Sequence, residues 1–269
     1  MIEFREVSKT YADGSTAVAN FSYVVPSNKI SVMLGSSGSG KTTLMRMVNR
    51  MIDPTMGRVL IDGNDVSEAD AVELRRSIGY VLQQGGLLPH RTVLDNISTV
   101  PVLNGMNRNK ARARSYELLE TVGLDASMTL RYPAQLSGGQ QQRVGVARAL
   151  AADPSLLLMD EPFGAVDPIS RRELQSELLR IQSDLGKTIL LVTHDVDEAF
   201  LLGDEVVVLK TGGVIAQTGT PSQIVATPAD DFVRKFIGQS TDKELSVTNV
   251  SGKKIVVDSS GRPLGVLAT

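Results

Sequence analysis

Cysteine and tryptophan are both absent from the 269 residues. Without cysteine there is no disulfide and no thiolate metal site, a usage that suits the cytosol. Aromatics make up only 4% of the chain, too few for the stacking platforms that hold single-stranded nucleic acid. The net charge is −2 and no basic run stands out, so no nucleic-acid partner held through its phosphates is expected. No apolar run approaches the ~18 residues that read as a membrane-spanning helix. The opening Met1-Ile2-Glu3-Phe4-Arg5 lacks the charged and apolar regions of a secretory leader. A role at a membrane would therefore mean docking on a protein that crosses it. Internal repeats and low-complexity segments are missing too. What is present is 42% hydrophobic residues, ample core for one large α/β domain or two small ones.

One stretch is dense with chemistry. Gly35-Ser36-Ser37-Gly38-Ser39-Gly40-Lys41-Thr42 follows the apolar run Ile30 to Leu34, read as a buried strand. It leads into Leu44, Met47, Val48 and Met51, spaced as one face of a helix. Strand, glycine-rich turn and helix form the setting in which G-x-x-x-x-G-K-[ST] becomes a phosphate cradle. Glycines let the backbone wrap closely enough to aim successive N–H groups at one anion. The helix start adds unpaired donors and a positive dipole end. Lys41 supplies a point charge for the outer phosphates, and the Thr42 hydroxyl can ligate Mg²⁺. Nucleoside triphosphate binding is the expectation.

Around this unit, Ile2 and Phe4 alternate with Glu3 and Arg5 as a half-buried strand, and Ala17 to Val25 and Arg58 to Ile61 read as two more. They predict a small, mostly antiparallel β-layer. Ile78 to Leu82 is a further strand, followed by Gln83-Gln84-Gly85-Gly86. From about Leu88 to Pro133 the texture turns helical, with Gly123 placed as a helix stop. Leu87-Leu88 reads either as an exposed apolar pair suited to docking or, nearly as well, as a pair packed inside. A helix is predicted over Gln140 to Ala152 and another from about Arg171 to Leu185. Leu156 to Met159 and Ile189 to Val192 are short continuous apolar runs, as central parallel strands require. Glu205 to Lys210 and Val214 to Thr218 look like an edge hairpin through Thr211-Gly212-Gly213.

Leu156 to Met159 runs into Asp160-Glu161. A carboxylate at the end of a buried strand can hold Mg²⁺ beside phosphates, and the next one, Glu161, is placed to orient and polarise an attacking water. Leu136-Ser137-Gly138-Gly139-Gln140 opens a helix and makes a second anion site by the logic of the first. One nucleotide cannot need two such cradles from one chain, whereas an ATP sandwiched between two copies can use both.

Gly35 to Thr42, Leu136 to Gln140, Leu158-Met159-Asp160-Glu161 and Val192-Thr193-His194-Asp195 closely resemble, in order, the motifs of ATP-binding cassette ATPases. The resemblance covers about Met1 to Gly238. It implies a P-loop NTPase core of α/β class, with a mainly parallel central sheet, an N-terminal antiparallel β-layer and an inserted helical subdomain at about 88–150. It further implies ATP as substrate, Mg²⁺ as cofactor, and hydrolysis at two composite sites of a head-to-tail dimer. Residue by residue, it gives catalytic roles to Glu161, His194 and Lys41, with His194 on the γ-phosphate. The ATP-contacting set becomes Tyr11, stacked on adenine, Gly35 to Thr42 with Thr43, Gln83, Ser137, Gly138, Gly139, Gln140 and Asp167. The metal set becomes Thr42, Gln83 and Asp160; Gln84 is the adjacent alternative to Gln83. Gly164-Ala165-Val166-Asp167 departs from the commoner Ser-Ala-Leu-Asp wording while keeping the aspartate that crosses the dimer interface.

The phrases Ile78 to Gln84, Leu88 to Asn96 and Pro162 to Pro168 resemble the osmoprotectant importers, which take up glycine betaine, proline betaine, choline or carnitine. That resemblance implies permease subunits as partners, an extracytoplasmic substrate-binding protein acting indirectly, and a place on the cytoplasmic face of the cell membrane. Another small-solute importer, or a cytosolic ATP-driven clamp, is the alternative. The ATPase domain is expected over 1–240. The tail 241–269 resembles the paired strands of one CBS module without its helices, and so reads as a piece of a longer regulatory unit or a remnant of one.

Overall fold

Alternation of side chains explains the first layer. In the computed structural model, which describes residues 1–83, 85–164, 166–238, 245–250, 253–257 and 261–266, the chain opens with β1 (Ile2–Thr10), whose Ile2 and Phe4 are buried. Next come β2 (Thr16–Val25), β3 (Ile30–Gly35) and α1 (Lys41–Val48), then β4 (Met56–Ile61) and β5 (Asn64–Asp65). β1 lies between β2 and β4, antiparallel to both, and β5 turns back on β4. This is the expected antiparallel layer. Phe4 meets the edge of Phe21 at its centre, ring centroids 5.2 Å apart.

The chain then runs through α2 (Ala71–Ser77), β6 (Ile78–Val81), α3 (Val93–Leu103), α4 (Arg108–Thr121), α5 (Gly138–Leu150), β7 (Leu156–Asp160), α6 (Pro168–Leu185), β8 (Thr188–Thr193) and α7 (Val196–Leu202). It continues with β9 (Glu205–Lys210), β10 (Val214–Gly219), α8 (Pro221–Ala226) and α9 (Asp231–Phe236), and then β11 (Ser246–Val250), β12 (Lys253–Val257) and β13 (Pro263–Val266). The six-stranded central sheet has the order β10-β9-β3-β8-β7-β6, parallel except for the edge strand β10. β3, β7 and β8 are buried throughout, because both faces are covered. Val32, Leu34, Leu157, Met159, Ile189 and Leu191 face one core with the later helices. Met33, Leu158, Leu190 and Val192 face the other, shared with α1 and the antiparallel layer. β3, β6, β7 and β8 therefore release their C-terminal ends along one rim, where ligands of parallel α/β sheets bind.

Several boundaries differ from the expectation. α5 begins at Gly138, two residues before Gln140, because Ser137 caps it and the Gln140 side chain closes a capping box. α6 begins at Pro168, three before Arg171, with Asp167 as cap. β6 stops at Val81, and regular helix in the next stretch starts only at Val93, capped by Thr92. Of the two readings of Leu87-Leu88, packing is the one found for Leu87: both residues are half-buried, and Leu87 packs on the core. Gly123, at φ +67°, follows α4 as the helix stop. β11, β12 and β13 form a separate antiparallel sheet. The expected domain boundary at 240, the Ser259-Ser260 part of the tail's turn, and Leu267 lie outside the described residues, as do Gln84 and Ala165.

Candidate functional site

The turn between β3 and α1 takes its shape from two glycines. A side chain on Gly35 would start 2.6 Å from Ser39 Oγ and 2.8 Å from the Leu209 carbonyl. Gly40, the cap of α1 at φ +89°, passes so near β2 that a Cβ would lie 2.6 Å from the Ala17 carbonyl. Ser36, Ser37 and Gly38 form the exposed tip, while Ser39 is fully buried and its carbonyl accepts the Gly213 N–H at 3.1 Å. Lys41 is only 5% exposed. Its ammonium donates to the carbonyls of Gly35 (2.7 Å) and Ser36 (2.8 Å) and to Ser39 Oγ (3.3 Å). Burial pushes its pKa down, against the carboxylates of Glu161 and Asp160, which hold it up. A concentrated positive charge thus sits inside a loop of backbone dipoles.

The strand ends on the same rim supply the opposite charge. Asp160, at the end of β7, is 8% exposed and accepts the Thr42 hydroxyl at 3.0 Å. Tyr80, from β6, reaches its other oxygen at 3.5 Å. Glu161 follows in a left-handed conformation, φ +45°, while its N–H still bonds the Val192 carbonyl at 2.9 Å. Such a conformation costs a non-glycine residue about 1 kcal/mol or more, and here it turns the carboxylate out of the strand line. One oxygen accepts Gln83 Nε2 at 3.1 Å, and the other lies 3.2 Å from His194 Nδ1. Three strand ends, separated in sequence by 78 and 33 positions, meet on one carboxylate. Glu161, Gln83 and His194 are brought together, as are Lys41, Thr42 and Asp160. Gln83 sits on Glu161, and no hydrogen bond joins it to Thr42 or Asp160 among the described residues.

Ser137 and its neighbours are placed differently. Ser137 Oγ accepts the Gln140 N–H at 3.2 Å, and Gln140 Oε1 accepts the Ser137 N–H at 3.0 Å. Gly139 packs so closely on α6 that a Cβ would meet Ser170 Cβ at 3.1 Å. Asp167 caps that helix through the N–H groups of Ile169 and Ser170, and those bonds hold its carboxyl below the usual range. The Ser137 turn and Asp167 therefore share a patch. No hydrogen bond links either to Gly35–Thr42 among the described residues. Tyr11 is partly exposed, its hydroxyl 3.5 Å from Thr43 Oγ1 and the Lys9 ammonium 5.6 Å from its ring. An open ring beside the phosphate loop is available for stacking.

Two supporting residues escaped the sequence reading. Tyr80 shows only as one more apolar-strand residue. Buried Glu198 accepts the Thr193 hydroxyl at 2.7 Å, and Thr193 Oγ1 in turn accepts the Asp195 N–H at 3.0 Å, which fixes the turn carrying His194. Burial pushes the Glu198 carboxyl above its ordinary range. Its spacing from Asp195 reads as a capping box, which hides the second role.

A family model described as ABC transporter matches residues 18–164. The chain belongs to the ABC transporter family. Among its relatives in that family, the glycine betaine/carnitine/choline transport ATP-binding protein OpuCA of Bacillus subtilis is 51% identical over 239 residues, covering 89% of this chain and 63% of that protein. The osmoprotectant import ATP-binding protein OsmV of Salmonella typhimurium is 42% identical over 300 residues, covering 98% and 78%. This ABC chain thus spans somewhat under two thirds of the length of OpuCA. A solved structure of the ATP-binding cassette MJ0796, a dimer in a post-hydrolysis state bound to ADP and Pi, superposes with a TM-score of 0.75 at 33% identity, covering 82% of this chain and 99% of that one.

Proposed function

We propose that the chain is the ATP-hydrolysing, nucleotide-binding subunit of an importer for quaternary amine osmoprotectants: glycine betaine, proline betaine, choline or carnitine. The observation that carries the hydrolysis reading is the Glu161 carboxylate held between Gln83 and His194, one residue beyond Asp160 and on the rim that holds Lys41. The loop N–H groups and Lys41 bind the phosphates of ATP, and Tyr11 stacks on the adenine. Glu161 orients a water and takes its proton as the water oxygen bonds the γ-phosphorus. The bond to the β-phosphate oxygen breaks, leaving ADP and phosphate. His194 contacts the γ-phosphate and, through Glu161, helps hold the base in its rotamer.

Asp160 fits a Mg²⁺ ligand. It is a buried carboxylate with no Lys, Arg or His ion pair among the described residues, beside a threonine hydroxyl. A single carboxylate suffices, since Mg²⁺ in such sites takes its other ligands from waters and phosphates. Thr42, Asp160 and Gln83 would hold the ion, which when bound neutralises charge on the phosphates.

Ser137, Gly138, Gly139, Gln140 and Asp167 complete the site of a second copy, so the working unit is a head-to-tail dimer. The 1–240 portion is the ATPase domain, with its helical part at about 88–150, and 241–269 is a short β-rich tail. The dimer docks on membrane permease subunits at the cytoplasmic face of the cell membrane, served indirectly by an extracytoplasmic binding protein. The choice of solute rests on the names of the relatives, since the solute need not touch this subunit.

Glu161→Gln tests the chemistry. It keeps the nucleotide contacts and removes the base, so turnover should fall by about 10²- to 10⁴-fold while ATP binding persists and a closed dimer accumulates. Turnover at the parent rate would remove Glu161 from its role.

A further inference from the structure

We propose that Arg148 is a positioning residue for hydrolysis, one that locks the chain on either side of Gln83 onto the helix that opens at Ser137. The proposal rests on the reading of Glu161 as the base. α5 carries three features along one stripe that grip the exit of β6. Gln142 Nε2 donates to the Leu82 carbonyl at 3.3 Å. Gly145 leaves room for the backbone of Gly85, and a Cβ there would lie 3.3 Å from the Gly85 oxygen and 3.4 Å from its Cα. Arg148 closes the grip: Nη1 donates to the Gly86 carbonyl at 2.7 Å, and Nη2 to the Gly85 carbonyl at 2.9 Å.

Chemistry and backbone geometry both mark this as a built contact. Gly85 and Gly86 have φ of +68° and +56°, so the backbone can turn two successive carbonyls toward one guanidinium. A side chain at Gly86 would start 2.3 Å from Leu82 Cδ1. Arg143 and Arg171 spend part of their charge on carboxylates, Glu173 and Asp195. Arg148 is in no ion pair among the described residues, and its fork is spent on the loop. A planar fork suits two neighbouring oxygens, and a lysine would match them less well.

The consequence falls on Gln83. Its backbone lies between the grip on Leu82 and the grip on Gly85, and its amide donates to Glu161 Oε2 at 3.1 Å. The base is therefore oriented through a chain of contacts that begins on α5, a helix of 13 residues. The N-terminus of that helix is the Ser137 turn assigned to the partner's nucleotide. One rigid element thus joins the half-site offered to the second copy with the base of the chain's own site.

A double-mutant cycle tests this, with turnover normalised to ATP bound per folded chain. Arg148→Ala should lower turnover about tenfold, as losing support behind a functional group does, and leave ATP affinity within about twofold. Gln83→Ala should slow the enzyme as much or more. The double variant should be no slower than Gln83→Ala alone, because Arg148 acts through Gln83. Arg148→Lys should fall between Ala and parent, and should Arg148→Ala fail to fold, the cycle is run with Arg148→Lys. Losses that multiply in the double variant would overturn the proposal, as would an Arg148→Ala enzyme at the parent rate. Full turnover by Glu161→Gln would instead sink the base assignment and leave the Arg148–Gln83 coupling to be read on its own.

Discussion

Two glycine-containing segments open α1 and α5, Gly35 to Gly40 ahead of α1 and Ser137 to Gly139 at the start of α5, and their surroundings are opposite. The first leads into a buried lysine whose ammonium touches Gly35, Ser36 and Ser39, and has Asp160 on the hydroxyl of the next residue. Its tip is exposed, and a cation and a carboxylate flank it. The second has no lysine or arginine of its own, and the side-chain oxygens of Ser137 and Gln140 are spent on each other's backbone N–H. What it offers is a helix N-terminus and a serine edge beside Asp167. The difference teaches that a phosphate site can be divided by strength. Under the proposed function, one turn would bind alone, whereas the other would add value only where a phosphate is already held.

Removing the cation should damage the strong turn most. Lys41→Ala is expected to weaken ATP binding by about 10- to 100-fold, the worth of a charge-assisted contact to phosphate, as measured by calorimetry on the dilute chain. Affinity within about twofold of the parent would show that the backbone donors carry the site without Lys41. The weak turn should respond differently. Ser137→Ala should cost about 1 kcal/mol of stability through the lost cap, seen as a lower midpoint in urea, and should leave the affinity of the dilute chain for ATP unchanged. A fall in that affinity would mean the two turns serve one nucleotide within one chain.

Sequence made the strong turn legible because everything it needs is local. Glycines at fixed offsets, one lysine and one threonine specify both backbone and chemistry. The buried runs at Leu156 and Ile189 likewise named the central strands, since both faces of a parallel sheet read as apolar. The aim of Glu161 was not legible. It depends on a left-handed residue and on Gln83 and His194, which reach it only through the order of β6, β7 and β8. The start of α5 was placed late because two glycines are poor helix formers, yet at the first helical positions a capping box outweighs that cost. Arg148 was visible only as a lone charge in the apolar run from Val144 to Ala152, and Leu87 could be read as docking or packing because nothing local marks the core it packs on.

The central claim is that the two turns of one chain serve different nucleotides, and a cross-linked heterodimer tests it most directly. One chain carries Lys41→Ala and the other Ser137→Arg, so in the shared arrangement one composite site holds both defects and the other holds neither. Homodimers of either variant should fail to close on ATP, while the heterodimer should bind one ATP per pair with the affinity of the parent. A heterodimer that closes on ATP no better than its two homodimers, or that binds two ATP equivalently, would contradict the sharing of the site.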